Sequence, residues 1–187
     1  MKKSVCAILC FLIIGGLSAC SSQKEIEQDL TASLNEIRTG TLAENSYIYS
    51  SNLGIANDNN YFNSNEITQK IASNVHFTIT DISQNEESAE ADIEFSAPDV
   101  YQMIEEIAST MQEENVEKLL EALDTQLDGD FPTKEFEVTV DLRRMNDHWY
   151  LIPNSQLANA FSGGLIEQYS LMGQNIVDEL LEGDKDE

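Results

Sequence analysis

The chain has 187 residues, enough for one domain with a sizeable core, and carries 34 acidic against 10 basic side chains, a formal charge of −24. A surface so acidic repels phosphate backbones and anionic headgroups, which excludes nucleic-acid binding and docking through a basic patch. Its cysteines, Cys6, Cys10 and Cys20, all lie at the N-terminal end, so the rest of the chain has no disulfide, thiolate nucleophile or cysteine metal site.

Lys2 and Lys3 precede an apolar run from Val5 to Leu17, and the small residues Ser18 and Ala19 lead directly to Cys20. That order of basic end, short apolar core and small residues reads as a secretory signal. An uncleaved anchor is the alternative, but this run contains Gly15-Gly16 and falls short of the roughly 20 residues that span a bilayer. No later stretch is apolar enough to span. Leu17-Ser18-Ala19-Cys20 resembles the lipobox of bacterial lipoproteins. The resemblance implies cleavage between Ala19 and Cys20, a diacylglyceryl group on the Cys20 thiol, and a place on the extracytoplasmic face of the cell membrane. Two acyl chains give stable anchoring, each buried methylene contributing about 0.8 kcal/mol. Cleavage removes two lysines and no acid, so the mature chain is more acidic still. The chain divides into a signal peptide (1–19), a lipidated cysteine with a short tether (20–23), one domain (24–182) and an acidic tail (183–187).

Ile26, Leu30, Leu34 and Ile37 recur at helical spacing and predict a helix over 24–38, with Gly40 as its stop. A second short helix is expected over 41–50, ending in Tyr47 and Tyr49, and the asparagine-rich stretch 50–65 reads as loop. Ser64 or Asn65 can cap a helix carrying Ile67, Ile71 and Val75 on one face. The period then drops to two. Val75, Phe77 and Ile79 alternate with polar residues, and after a turn at 84–87 so do Ala89, Ala91, Ile93 and Phe95, an antiparallel hairpin with one buried face.

Ser96-Ala97-Pro98-Asp99 ends that strand and opens a helical tract. One stripe holds Val100, Ile104, Ile107 and Met111; a second holds Val116, Leu119, Leu120, Leu123 and Leu127. The phase slips at 112–115, where the helix is expected to break. Asp128-Gly129-Asp130-Phe131-Pro132 terminates it. Phe136, Val138, Val140 and Leu142 then alternate with Glu135, Glu137, Thr139 and Asp141. Asn146-Asp147 suits a tight turn into a return strand over 148–152. Asn154 can cap a short helix through Ala160, closed by Gly163-Gly164. Leu165, Tyr169, Met172, Ile176 and Leu180 form a last helical stripe, which either covers the sheet's remaining apolar surface or offers a partner a groove-filling face. Segregated helices and hairpins predict an α+β fold: a curved antiparallel sheet of about four strands in two hairpins, packed against helices, with a helical insertion between the hairpins.

The chemistry-bearing residues are few. His76 and His148 each fall on the strand face opposite the apolar side chains, and a catalytic or metal role would need carboxylates or a second histidine converging on them. Asp124, Asp128 and Asp130 lack the spacing of a calcium loop, since glycine stands between two aspartates and Pro132 follows; Asn57-Asp58-Asn59-Asn60 lacks the glycine and closing glutamate. There is no phosphate-binding glycine loop, nucleophile elbow or zinc-binding helix motif, hence no metal or cofactor is called for. Trp149 reads as core by default.

From Cys20 to about Leu165 the layout is similar to small lipoproteins of Gram-positive bacteria with a nuclear-transport-factor-two-like (cystatin-like) cone fold. The matching features are Arg38-Thr39-Gly40-Thr41-Leu42 after the first helix and a helix running into strand 75–82. Asn146 to Pro153 with its tryptophan, and Leu157-Ala158-Asn159-Ala160-Phe161 before Gly163-Gly164-Leu165, complete the match. The resemblance implies a cone-like sheet around helices with a pocket at its open end, for which Trp149, Tyr150, His148 and Tyr101 are the candidate lining residues. None matches a catalytic motif of the fold, and the helical excursion over 99–127 departs from its smallest members. The expectation is a non-enzymatic, lipid-anchored domain that binds an envelope protein or wall component. The alternative is a pocket that binds or acts on a small apolar ligand.

Overall fold

The computed structural model describes residues 23–41, 46–49, 66–111 and 115–171. Helix α1 (residues 23–39) is followed by α2 (Glu66–Ser73), β1 (His76–Gln84), β2 (Ser88–Pro98), α3 (Val100–Thr110) and α4 (Val116–Gln126). Strands β3 (Thr133–Met145) and β4 (His148–Ile152), then α5 (Ser155–Phe161), complete the main body, and α6 runs from 165 through 171. The strands form one antiparallel sheet in the order β1-β2-β3-β4, so the fold is α+β. The lipobox-like stretch, the loop 50–65, the last stripe beyond Leu171 and the tail 183–187 lie outside the described residues.

Period-two patterning sets the sheet. On β2, Ala89, Ala91, Ile93 and Phe95 are buried and the residues between them are exposed or half-buried; Val138, Val140 and Leu142 repeat this on β3. The helical excursion separates β2 from β3 in sequence, yet they pair over their whole length, from Ser88 opposite Arg143 to Pro98 opposite Thr133. The pairing carries β2 to Pro98, within the Ser96–Asp99 stretch expected to end it. A bulge between Ile79 and Asp81 shifts the register of β1, so that Ile82, an even-numbered residue, returns to the inner face opposite Ala91. Asn146 (φ 49°) and Asp147 (φ 64°) both occupy the left-handed region, the type I′ arrangement that matches the twist of a two-residue hairpin.

Helix α1 lies across the inner face, burying Ile26, Leu30, Leu34 and Ile37, and α5 adds Leu157, Ala160 and Phe161. At its first turn, Gln23 Nε2 donates to the Ile82 carbonyl at 3.2 Å. This places the N-terminus of α1 at the end of the sheet that carries both hairpin turns.

The helical excursion builds a second, smaller core of Ile71, Val100, Met103, Leu123 and Leu127 at the opposite end, with Leu165 of α6 packed against it. As expected from the phase slip, α3 ends at Thr110, and α4 starts after Asn115, whose side chain caps it by accepting from the Glu117 and Lys118 N–H groups. Lys70 of α2 ties this unit down. Its ammonium donates to the Asp124 carbonyl (2.6 Å) and Oδ1 (2.8 Å) and pairs with Asp128 Oδ2 (2.9 Å).

Three expectations are corrected. Residues 46–49 are not helical: Ile48 forms a parallel bridge with Leu151, fixed by Tyr49 N–H to the Leu151 carbonyl and Leu151 N–H to the Tyr47 carbonyl, both 2.8 Å. Alternating Tyr-Ile-Tyr suits an edge strand better than a helix. On α3, Met103 rather than Met111 is fully buried. On α4, Val116 (72 %) and Leu120 (43 %) stand exposed, so only the C-terminal part of that stripe packs. Among the described residues, no helix is long and apolar enough to cross a membrane.

Candidate functional site

The outer face of the sheet, opposite α1 and α5, carries every second strand residue and no described element covers its centre. Seven carboxylates project from its three longest strands: Asp81 on β1; Glu90, Asp92 and Glu94 on β2; Glu135, Glu137 and Asp141 on β3. All seven are exposed. The register sets like charges directly opposite one another, Glu94 against Glu137, Glu90 against Asp141 and Asp81 against Asp92. Directly opposed like charges in a sheet are destabilising, by roughly 0.2–1 kcal/mol per pair.

Part of this charge is held by hydroxyls. Thr139 Oγ1 donates to Asp92 Oδ1 and Ser96 Oγ to Glu135 Oε1, each at 2.7 Å. Glu90, Glu94, Glu137 and Asp141 have no salt-bridge partner among the described residues. Arg143, opposite Ser88 and Tyr150, is the strand cation on this face, at the turn end. Two open depressions indent the surface. One, of about 690 Å³, lies among Ser83, Gln84, Glu90, Asp141 and Arg143. The other, of about 360 Å³, lies among Thr80, Asp92, Glu94, Glu137 and Gln156. Among the described residues, no three His, Asp or Glu side chains are grouped so as to hold a metal ion.

An aromatic margin borders the acidic field at β4. The Tyr47 and His148 rings stack with centroids 4.4 Å apart, and Tyr150 meets Tyr47 edge-on at 5.5 Å. His148 Nε2 lies 3.4 Å from the Tyr47 hydroxyl, and Nδ1 lies 3.5 Å from Asp29 Oδ2. In a stack the hydroxyl does not point along the imidazole's in-plane lone pair, and 3.5 Å is long for a hydrogen bond, so these are packing contacts. The firm bond of the margin is another one: the Trp149 backbone N–H donates to Asp29 Oδ2 at 2.9 Å.

Of the sequence candidates, His148 and Tyr150 belong to this margin. Trp149 points the other way, 1 % exposed in the main core, and its indole N–H has no partner among the described residues. Tyr101 sits on α3 at the opposite end of the sheet and is not brought to the other three. Its phenol is raised above its ordinary value of 10.0 by a hydrogen bond to the adjacent Glu105 carboxylate. Cys20 and Ala19 lie outside the described residues. Sequence reasoning missed Asp29 and Tyr47: the first sits on a helix's polar side and the second in a stretch read as helix. The acidic face did leave a signal in the alternation of Glu90, Asp92 and Glu94 and of Glu135, Glu137 and Asp141, but only the register shows that like charges meet.

Compared with protein-family models, curated proteins and solved structures, the chain matches none.

Proposed function

We propose that the chain is a non-catalytic binding module, lipid-anchored through Cys20 on the extracytoplasmic face of the cell membrane, whose open sheet face takes a cationic segment of an envelope protein or wall component. The lipobox-like Leu17-Ser18-Ala19-Cys20 supports the address. The observation that carries the activity is the set of like-charge pairs across β1, β2 and β3. Solubility needs charge somewhere on the surface; it does not need carboxylates placed directly opposite each other at a cost in stability. A partner bearing lysine or arginine relieves that repulsion on docking, so the strain assists association. The aromatic rings of Tyr47 and Tyr150 at the margin give arginine or lysine a second kind of contact.

Two measurements test this reading. Titrating the mature chain with a lysine-rich synthetic peptide should show binding that weakens with salt and falls about tenfold or more in E94Q/E137Q, a loss of about 1.4 kcal/mol. Equal affinity in wild type and variant overturns the assignment of the face. In cells, Cys20→Ala should leave the precursor unprocessed and release it from lipid labelling; normal processing and membrane retention overturn the anchor.

A further inference from the structure

The two edges of the sheet are finished differently. On β4, Asp29 takes the Trp149 N–H, and the segment 46–49 pairs with Leu151 from both sides of its peptide. On β1, no described strand pairs with the outer side. Gln23 reaches it at one point, the Ile82 carbonyl, and the bulge between Ile79 and Asp81 separates that capped stretch from residues 76–79. The latter are the regular part of the edge.

The bond from Asn85 N–H to the Ser88 carbonyl (2.8 Å) fixes which β1 peptides face β2, because hydrogen-bonded and open pairs alternate along an antiparallel ladder. The Ile82 carbonyl, taken by Gln23, faces outward in agreement with that alternation. Carried through the bulge, it leaves the peptide groups of Phe77 and Ile79 facing away from β2. Their side chains are half-buried at the rim of the main core. On the other side of the strand, Thr78 stands opposite Glu94 and Asp81 opposite Asp92.

A strand added here meets peptide groups that no described residue pairs, apolar side chains on the inner side and carboxylates on the outer. We infer that the cationic partner docks as such an added strand along residues 76–79 of β1, through an extended segment in which basic side chains alternate with apolar ones. This rests on the binding reading given above and adds where the partner sits and what its sequence pattern must be. Alternate residues of a strand point to opposite faces, so one set of side chains extends the core beside Phe77 and Ile79 while the other reaches the acidic face. The β2 carboxylates lie two strand spacings away, about 10 Å, a gap that a lysine and a glutamate side chain close between them.

The test uses the mature chain and a synthetic peptide of alternating lysine and valine, about as long as β1. A control peptide has the same side chains but N-methylated peptide bonds on its pairing edge. The expected result is slowed hydrogen exchange at the Phe77 and Ile79 amides, with the control at least about tenfold weaker, as expected for loss of backbone hydrogen bonds. If both peptides bind equally and perturb Glu94 and Glu137 without protecting Phe77 and Ile79, strand addition is wrong and the acidic-face reading survives. If neither peptide binds, both fall together.

Discussion

The Asp29 carboxylate on α1 accepts the backbone N–H of Trp149 on β4 at 2.9 Å, joining the first helix to the last strand of the sheet. The Asp29 side chain is only 16 % exposed, so the bond is largely shielded from water. Hydrogen bonds to charged groups in such settings contribute about 1.5–3 kcal/mol. Asp29→Ala should therefore lower stability by roughly that amount, and Asp29→Asn, which keeps an acceptor, by less. Trp149 is the only tryptophan and sits under this bond, so its fluorescence during urea unfolding reports the change directly. Equal stability of the alanine variant and wild type would show the bond to be dispensable.

The acidic face carries an unusual expectation for its variants. Glu94→Lys turns the opposed pair with Glu137 into an attractive one and should raise stability by about 0.5–1 kcal/mol while abolishing binding of a lysine-rich peptide. For the same reason, wild type should gain stability as salt is raised through the physiological range, and the variant should gain less. Denaturant melts at two salt concentrations check the first point, and titration checks the second.

Lys70 gives a pH dependence with a defined sign. Hydrogen bonds from its ammonium to Asp124 and then Asp128 raise its pKa above the ordinary 10.5, against an opposing effect of burial. A group whose pKa is raised on folding stabilises fully below its unfolded value and loses that contribution as pH rises through the folded one. Alkaline conditions above about pH 10.5 should therefore loosen the C-terminal end of α4, and Lys70→Met should do the same at neutral pH. Hydrogen exchange resolved by segment checks it: α4 and 127–131 should open while β2 and β3 stay protected.

Gly163 has φ 64°, and a side chain there would run into the Pro98 carbonyl and Val100. Gly163→Ala combines backbone strain with overpacking at the junction of β2, α3 and α5, and should cost about 2–4 kcal/mol. A thermal melt is sufficient. A variant as stable as wild type would mean that the junction can yield.

Much of this fold is legible in the alternation of Ala89 to Phe95 and Phe136 to Leu142, because burial of one sheet face forces period two on any sequence that makes it. Asn146-Asp147 and Asn154 were legible for a similar reason: caps and tight turns demand particular side chains, whereas in the sequence Asn115 marks only part of a phase slip and its capping role emerges from the structure. Three further features were not legible. The bulge at Thr80–Asp81 inserts one polar residue among others and leaves no hydrophobic trace until Ile82. The bridge of Ile48 to Leu151 is too short for periodicity to separate strand from helix. The clamp by Asp29 depends on a strand that lies far along the chain, so only tertiary structure distinguishes it from any solvated helix carboxylate. The acidic face is intermediate: its residues were visible, but the opposition of Glu94 to Glu137 requires the register of strands joined through two helices.

The bond from Gln23 to Ile82 marks where the chain enters the fold, at the turn end of the sheet. If Cys20 is the point of attachment, as proposed, the domain joins the membrane beside the end of the sheet bearing both turns, and the far ends of the strands stand away from the bilayer. β2, at 11 residues, spans about 35 Å. The pair α3 and α4, with Val116 and Leu120 exposed, is then carried outward like the head of a post, and residues 76–79 stand at the same height. A partner rooted in the same membrane must reach up that far to meet them, whereas one arriving from outside meets them first.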